Sequence, residues 1–218
     1  NHRWRAQTAH LFVITQRQLQ GPRHAGMMRL VAEAWVAVRA SWRIFTFRPD
    51  WQSGFDVSMG GFWRSFGAIL FAVPMIAMIH ISGEAIGRNL SWTDEFLIQG
   101  LSWALFPVAA AIAAQVTGAR AGFVRWIIVH NWAVLWLYAY LFVLWTLFTA
   151  GILPVELMSI GIFIYPYLRV LAHWRIAYVS LGLPTITSAL AAAVPILATE
   201  IAVRIYFTSV VVPQASGG

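Results

Sequence analysis

The sequence predicts an all-α integral membrane protein: five transmembrane helices preceded by an amphipathic interfacial helix. Of its 218 residues, 60% are hydrophobic and 11% charged, with a mean hydropathy of +0.69, whereas about a quarter of an ordinary globular domain is charged. The apolar segments run continuously instead of alternating, which points away from a β-barrel. Twelve Trp, six Tyr and fourteen Phe suit the headgroup level of a bilayer, where one end of a ring system is wet and the other apolar.

Residues 1–26 are rich in Arg and Gln and broken at Gly21-Pro22, so a flexible basic tail is expected there. The chain begins at Asn1, with alternative starts at Met27 or Met28, and Leu11 to Ile14 is too short an apolar run for a secretory signal. Over residues 27–47, Val31, Trp35, Val38, Trp42 and Phe45 recur at helical spacing, while Arg29, Glu33, Arg39 and Arg43 take other positions. This reads as a basic helix lying in the interface against anionic lipid. Pro49, Gly54 and Gly60-Gly61 make residues 48–61 a loop.

The five spans form one domain, residues 62–207. Span one, residues 62–82, carries Arg64 near its start, expected to snorkel to the headgroups, and a kink at Pro74. An acidic connection follows with Glu84, Arg88, Asp94 and Glu95, in which Ser91 and Asp94 resemble a capping box. Span two, residues 96–116, has small residues at spacing four, Ala109, Ala110, Ala113 and Ala114, which favour close helix packing. After a basic turn at residues 118–125 comes span three, residues 123–150, with 25 uncharged residues from Trp126 onward, enough to cross roughly 30 Å of hydrocarbon. Gly151 and Pro154 turn the chain into span four, residues 152–171, with Glu156 near its start and Arg169 near its end as an inner-leaflet anchor. Its helix is expected to continue past Trp174 until Gly182-Leu183-Pro184 stops it. Span five, residues 183–207, contains Pro195 and places Glu200 four residues before Arg204, the favourable order for a helical ion pair. A weakly structured tail, residues 208–218, ends the chain.

The net charge of +7 comes from 15 Arg and no Lys. It lies in short segments beside the spans, so membrane topology explains it better than nucleic acid does. With the N-terminus inside, 13 Arg fall on the cytoplasmic side and Arg88 and Arg204 alone fall outside. That asymmetry predicts a cytoplasmic N-terminus and, after five spans, a C-terminus on the far side; the Arg-only composition suggests a bacterium, so the expected place is the inner membrane with the C-terminus periplasmic.

Two groups of residues are candidates for chemistry. His130 and Asn131 interrupt span three, where an unpaired polar group is expensive. Adjacent residues on a helix point about 100° apart, so the pair is expected to face different neighbours and to lock packing, with a proton-relay or ligand role for His130 as the alternative. Glu156, Glu200 and Arg204 form a candidate outer-side ionisable group, read mainly as side chains reaching water. His130 and His173 fall toward the same side, but His173 is flanked by Arg and reads as interfacial, so a haem site is not expected. There is no Cys, no HExxH, no GxSxG and no glycine-rich phosphate loop, and no metal or cofactor is expected.

At the start of span one stand Phe55, Asp56, Ser58 and Gly61-Phe62-Trp63-Arg64-Ser65-Phe66, within FDVSMGGFWRSF; span three carries VHNW, Val129 to Trp132, and the passage to span five reads RVLAHWRIAYVSLGLP. In these features the chain resembles bacterial membrane proteins related to the Yip family, five-span proteins with a cytoplasmic N-terminal segment, over most of residues 27–207. The resemblance implies a non-enzymatic role and no catalytic residues, and eukaryotic members' Rab GTPase partners are not carried over. The expected function is a scaffold, assembly or membrane-organising factor with membrane-protein partners or further copies of itself. A small transporter or channel subunit using His130 and Asn131 is the alternative, and a membrane enzyme or haem carrier a third.

Overall fold

A computed structural model of the protein describes residues 22–84 and 90–211. These form eight α-helices, α1 (Pro22–Phe45), α2 (Met59–Ser65), α3 (Ala68–Glu84), α4 (Trp92–Val116), α5 (Phe123–Ala133), α6 (Leu135–Thr149), α7 (Val155–Leu181) and α8 (Thr185–Tyr206). Short 3-10 turns occupy Pro49–Gly54 and Arg120–Gly122, a π turn at Phe207–Val211 closes the last helix, and no strand occurs among the described residues. Five segments are long and apolar enough to cross a membrane: Met59–Glu84, Trp92–Val116, Arg120–Thr149, Val155–Leu181 and Thr185–Ser209. The expected tail at residues 1–21, Arg88 and residues 212–218 lie outside the described residues.

The helix boundaries follow their punctuation. Ser91 caps α4 by accepting from the Asp94 amide at 3.1 Å, as its spacing predicts. Gly182 ends α7 in the left-handed region, at φ 67, and Pro184 precedes α8. Helix α7 therefore runs 27 residues, and Arg169, expected at the end of a shorter span, stands near its middle. Span three divides at Val134 into α5 and α6.

Helix α1 begins at Pro22, five residues before the sequence pattern starts, consistent with the preference for proline in a first helical turn. Its buried face is not the large apolar one. Ala34, Ala37, Ala40, Ser41 and Ile44 are buried, while Val31, Trp35 and Trp42 stay 51%, 69% and 51% exposed, Trp42 with one face of its ring on Trp136. Small residues let α1 seat closely on α5 and on the Pro49–Gly54 turn.

The lead-in residues of span one hold that junction together. Asp56 accepts from the Ser58 amide at 3.0 Å, and the Ser58 hydroxyl accepts from the Gly61 amide at 3.1 Å. A Cβ on Gly61 would stand 1.8 Å from the Asp56 carbonyl oxygen, so no side chain fits. Arg64 does not reach outward as expected, because it pairs with Glu33 at 2.7 Å and with Asp56. Phe62 packs on Phe66 and Phe123, and Phe55 lies edge-on to Trp51. Trp63 remains 69% exposed.

The bundle closes around α5, whose residues from Trp126 to Ala133 are all buried. Helices α4 and α8 make the largest helix pair. Ala109, Ala110, Ala113 and Ala114 of α4 are buried, as are Ala191 and Ala192 of α8, the small-residue packing expected of span two.

Candidate functional site

Polar side chains on otherwise apolar helices converge on one cavity of about 290 Å³. Helix α4 contributes Glu95, Gln99, Ser102 and Trp103; α5 and α6 contribute His130, Asn131 and Tyr138; α7 contributes Tyr165, Arg169 and His173; α8 contributes Thr199 and Glu200. Ile76 and Ile79 of α3, with Ile98, Phe106, Val134, Leu137, Leu141 and Val203, supply the apolar part of the wall. Each contribution has a helical period: Tyr165, Arg169 and His173 recur every four residues, as do Glu95 and Gln99.

His130 and Asn131 share this site instead of facing different neighbours. The His130 Nδ1 lies 3.4 Å from the Asn131 Oδ1; side-chain length and free χ angles overcome the 100° between their Cα–Cβ directions. Asn131 Nδ2 donates to the Ser65 hydroxyl at 2.9 Å, and Ser65 donates onward to the Phe62 carbonyl at 2.7 Å. The packing contact expected of Asn131 is therefore real, and it joins the site to the lead-in motif. His130 stacks on Phe106 with ring centroids 3.5 Å apart and planes 13° apart.

His173, expected at the interface, is buried because its side of α7 packs on His130 and Phe106. Its Nδ1 meets the Arg169 carbonyl oxygen at 2.7 Å, and its Nε2 stands 3.3 Å from the Nε2 of His130. Direct contact between these nitrogens leaves no gap for a haem macrocycle between the rings.

Hydrogen-bond direction determines where the protons sit. A carbonyl only accepts, so His173 carries its hydrogen on Nδ1. Ser65 spends its hydrogen on Phe62 and must accept from the Asn131 amide nitrogen. Asn131 then turns its oxygen toward the His130 Nδ1, 3.4 Å away. The His173 Nε2 is left with a lone pair, which accepts from His130 at 3.3 Å when that ring carries its hydrogen on Nε2. A proton added to the pair makes this contact a charge-assisted hydrogen bond.

Glu200 pairs with Arg169 of α7, not with Arg204 one turn away, which is exposed. The reason is tertiary: the tight Gly182 turn sets α8 antiparallel beside α7, so residues 169 and 200 lie at similar distances from it. Glu156 sits exposed in the first turn of α7, where the helix dipole favours an acid, and it does not join the cavity. Among the described residues no group of three or more His, Cys, Asp or Glu could hold a metal ion.

A second polar series leads from the cavity to the acidic end of the bundle, the end holding Glu84 and Trp92. Tyr138 donates to the Gln99 Oε1 at 2.9 Å, and Gln99 Nε2 donates to the Glu95 Oε1 at 3.1 Å. The other Glu95 oxygen stands 3.4 Å from the Nδ1 of His80, whose Nε2 is 3.4 Å from Glu84. His80 is 1% exposed and lies against Trp92. His80 stands near the end of span one, and only the seating of α3 on α4 brings it beside Glu95. The signal that could have found His173, Arg169, Glu95 and Gln99 is the four-residue recurrence of polar side chains inside apolar spans. No known protein family, curated protein or solved structure matches the chain.

Proposed function

We propose that the chain is a small transporter or channel subunit that moves protons across a bacterial inner membrane. The observation that supports this reading is the His130–His173 pair, two buried imidazoles whose Nε2 atoms stand 3.3 Å apart, within reach of one shared proton. Ionisable groups inside spans are costly and recur in proton relays. Here they form a continuous set: Glu84, His80, Glu95, Gln99 and Tyr138 lead from the acidic end to the cavity, which Arg169 and Glu200 border and the histidine pair closes. Beyond the pair, the fully buried Ile127, Ile176 and Ala177 block the way to the basic end, so passage requires a rearrangement there. The break at Val134, within the cavity wall, is the nearest point at which span three can bend.

The basic end faces the cytoplasm in this proposal, because 12 of 15 Arg, the nine up to Arg64 with Arg120, Arg125 and Arg175, belong to the N-terminal segments, to the turn before α5 and to the last two turns of α7. The test is proton flux into proteoliposomes under a valinomycin-driven potassium potential, followed with an entrapped pH dye. The wild type should dissipate the gradient, and His173→Ala should slow this by about 10²-fold or more. Flux equal to that of protein-free vesicles for the wild type, or flux unchanged in His173→Ala, would reject the proposal.

A second reading, a non-enzymatic scaffold or assembly factor of the Yip-like type, is favoured by two other observations. The outward Val31, Trp35 and Trp42 of α1 present an apolar strip suited to anionic lipid, and the Arg169–Glu200 pair lies half exposed between α7 and α8 where a partner helix would shield it. Co-purification from mild detergent separates this reading from the first. A stable partner or second copy that is lost on Glu200→Gln supports the scaffold, and a monomer without partners opposes it.

A further inference from the structure

A second cavity, of about 650 Å³, lies between α1, α6 and α7 and is chemically the reverse of the first. Its wall is almost wholly apolar, with Trp42 of α1, Trp136, Val143 and Leu144 of α6, and Leu168 and Leu171 of α7. It extends from Arg175 toward Leu153, and the 21 helical residues from Val155 to Arg175 rise about 30 Å. The space is therefore an elongated groove, open along its side.

Its basic end has three unusual features. Arg175 has no carboxylate partner among the described residues, and its described hydrogen bonds occupy one of five N–H donors, Nε to the Ile44 carbonyl at 3.2 Å. Its guanidinium lies 4.2 Å from the Phe47 ring centroid and 5.4 Å from that of Tyr178. Phe47 adopts a φ of 58, a left-handed backbone that a bulky side chain rarely takes, and it leaves the ring 66% exposed. Strain of this kind collects at ligand clamps. Arg48, also exposed, follows directly.

We infer that this groove binds one anionic phospholipid, with an acyl chain along the Trp136–Leu144 wall and the phosphate on the unused Arg175 donors. An apolar groove alone would take any lipid. The uncompensated arginine at one end of it selects an anion, and the distribution of basic residues places that end at the leaflet where anionic lipid is recruited. The inference does not rest on proton movement.

The test is native mass spectrometry of the full chain after delipidation, with phosphatidylglycerol and phosphatidylcholine of identical acyl chains added in competition. The wild type should retain one phosphatidylglycerol with about fivefold preference, the value of one arginine near an anionic headgroup. Arg175→Met should bind both lipids equally, and Val143→Trp, which places an indole across the wall that the acyl chain follows and leaves Arg175 intact, should retain neither. Equal retention of both lipids by the wild type means annular contact only and overturns the inference. So does undiminished phosphatidylglycerol binding in Val143→Trp, or a dimer that excess lipid does not dissociate, which would put a second copy in the groove. If Arg175→Met does not fold, the Val143→Trp result decides alone.

Discussion

Helix α7 supplies an arginine to each of two cavities, and the two arginines live under opposite conditions. Arg169 has Glu200 beside it and lines a cavity walled by carboxylates, hydroxyls, amides and two imidazoles. Arg175, six residues later and so on a different face, has one backbone carbonyl and two aromatic rings, at the end of an apolar groove. The first charge is balanced within the chain, which suits a site whose own groups exchange protons. The second is balanced by nothing described within the chain, which suits an external anion. Whether a charge has an internal counter-ion thus distinguishes an internal relay from a binding surface.

Removing the counter-ion breaks the distinction most directly. Glu200→Gln puts Arg169 in the condition of Arg175 but with no open groove, and should destabilise the protein by about 1–3 kcal/mol. Unfolding followed by tryptophan fluorescence in mixed micelles should record this loss, and adding Arg169→Met should recover most of it, since replacing both partners is close to neutral. Asn131→Ala tests the polar side of the comparison. Asn131 is 2% exposed, and its loss should cost about 1–2 kcal/mol. In a double-mutant cycle with Ser65→Ala the coupling should be about 0.6 kcal/mol and at most about 1.7; zero coupling would show that the bond orienting His130 contributes nothing.

Arg175→Met should have a smaller effect on stability, about 0.5–1 kcal/mol, because it loses one neutral acceptor and a half-exposed ring contact. A loss as large as that of Glu200→Gln would show that Arg175 is balanced internally after all. Asp56 supplies the smallest effect and the control outside the spans. The Ser58 hydroxyl and amide, and then Arg64, hold its carboxyl below the usual range. A lowered value in the folded state means that the stabilisation is present above the unfolded carboxyl value, about 3.9, and fades as pH falls through the folded one. The melting temperature of Asp56→Asn should therefore lie below that of the wild type at pH 7 and converge with it in acid.

Much of this organisation is legible in the sequence. The five span-length helices, the Ser91 cap, the stop at Gly182 and the small-residue packing of α4 each follow from a local pattern of two to twenty residues. The site was half legible. A histidine and an asparagine inside an apolar run are conspicuous one at a time, so His130 and Asn131 stand out, while His173 and Arg169 do not, because span four cut at Leu171 makes them look terminal. The helix ends at Gly182 as expected; the misjudgement lay in treating its stretch past Leu171 as a polar extension, when His173 packs inside the bundle. Similarly, Glu200 has a plausible partner four residues away in Arg204, and only the antiparallel seating of α8 on α7 brings Arg169 closer.

By itself the sequence determined that the chain folds as a set of long apolar helices, and where they stop, because hydropathy, caps and glycines act within a turn or two of their own position. Tertiary structure decided which polar groups meet. Helix rotation, the Val134 break and the small face of α1 set the relative angles of residues 31 to 112 positions apart in sequence, such as Glu33 with Arg64 and Asp94 with Tyr206. A hydrogen bond requires its atoms within about 3 Å, a condition that helix periodicity cannot specify between helices. Those bonds, from Phe62 through Ser65 and Asn131 to His130, lead to two histidine Nε2 atoms set 3.3 Å apart at the centre of the site.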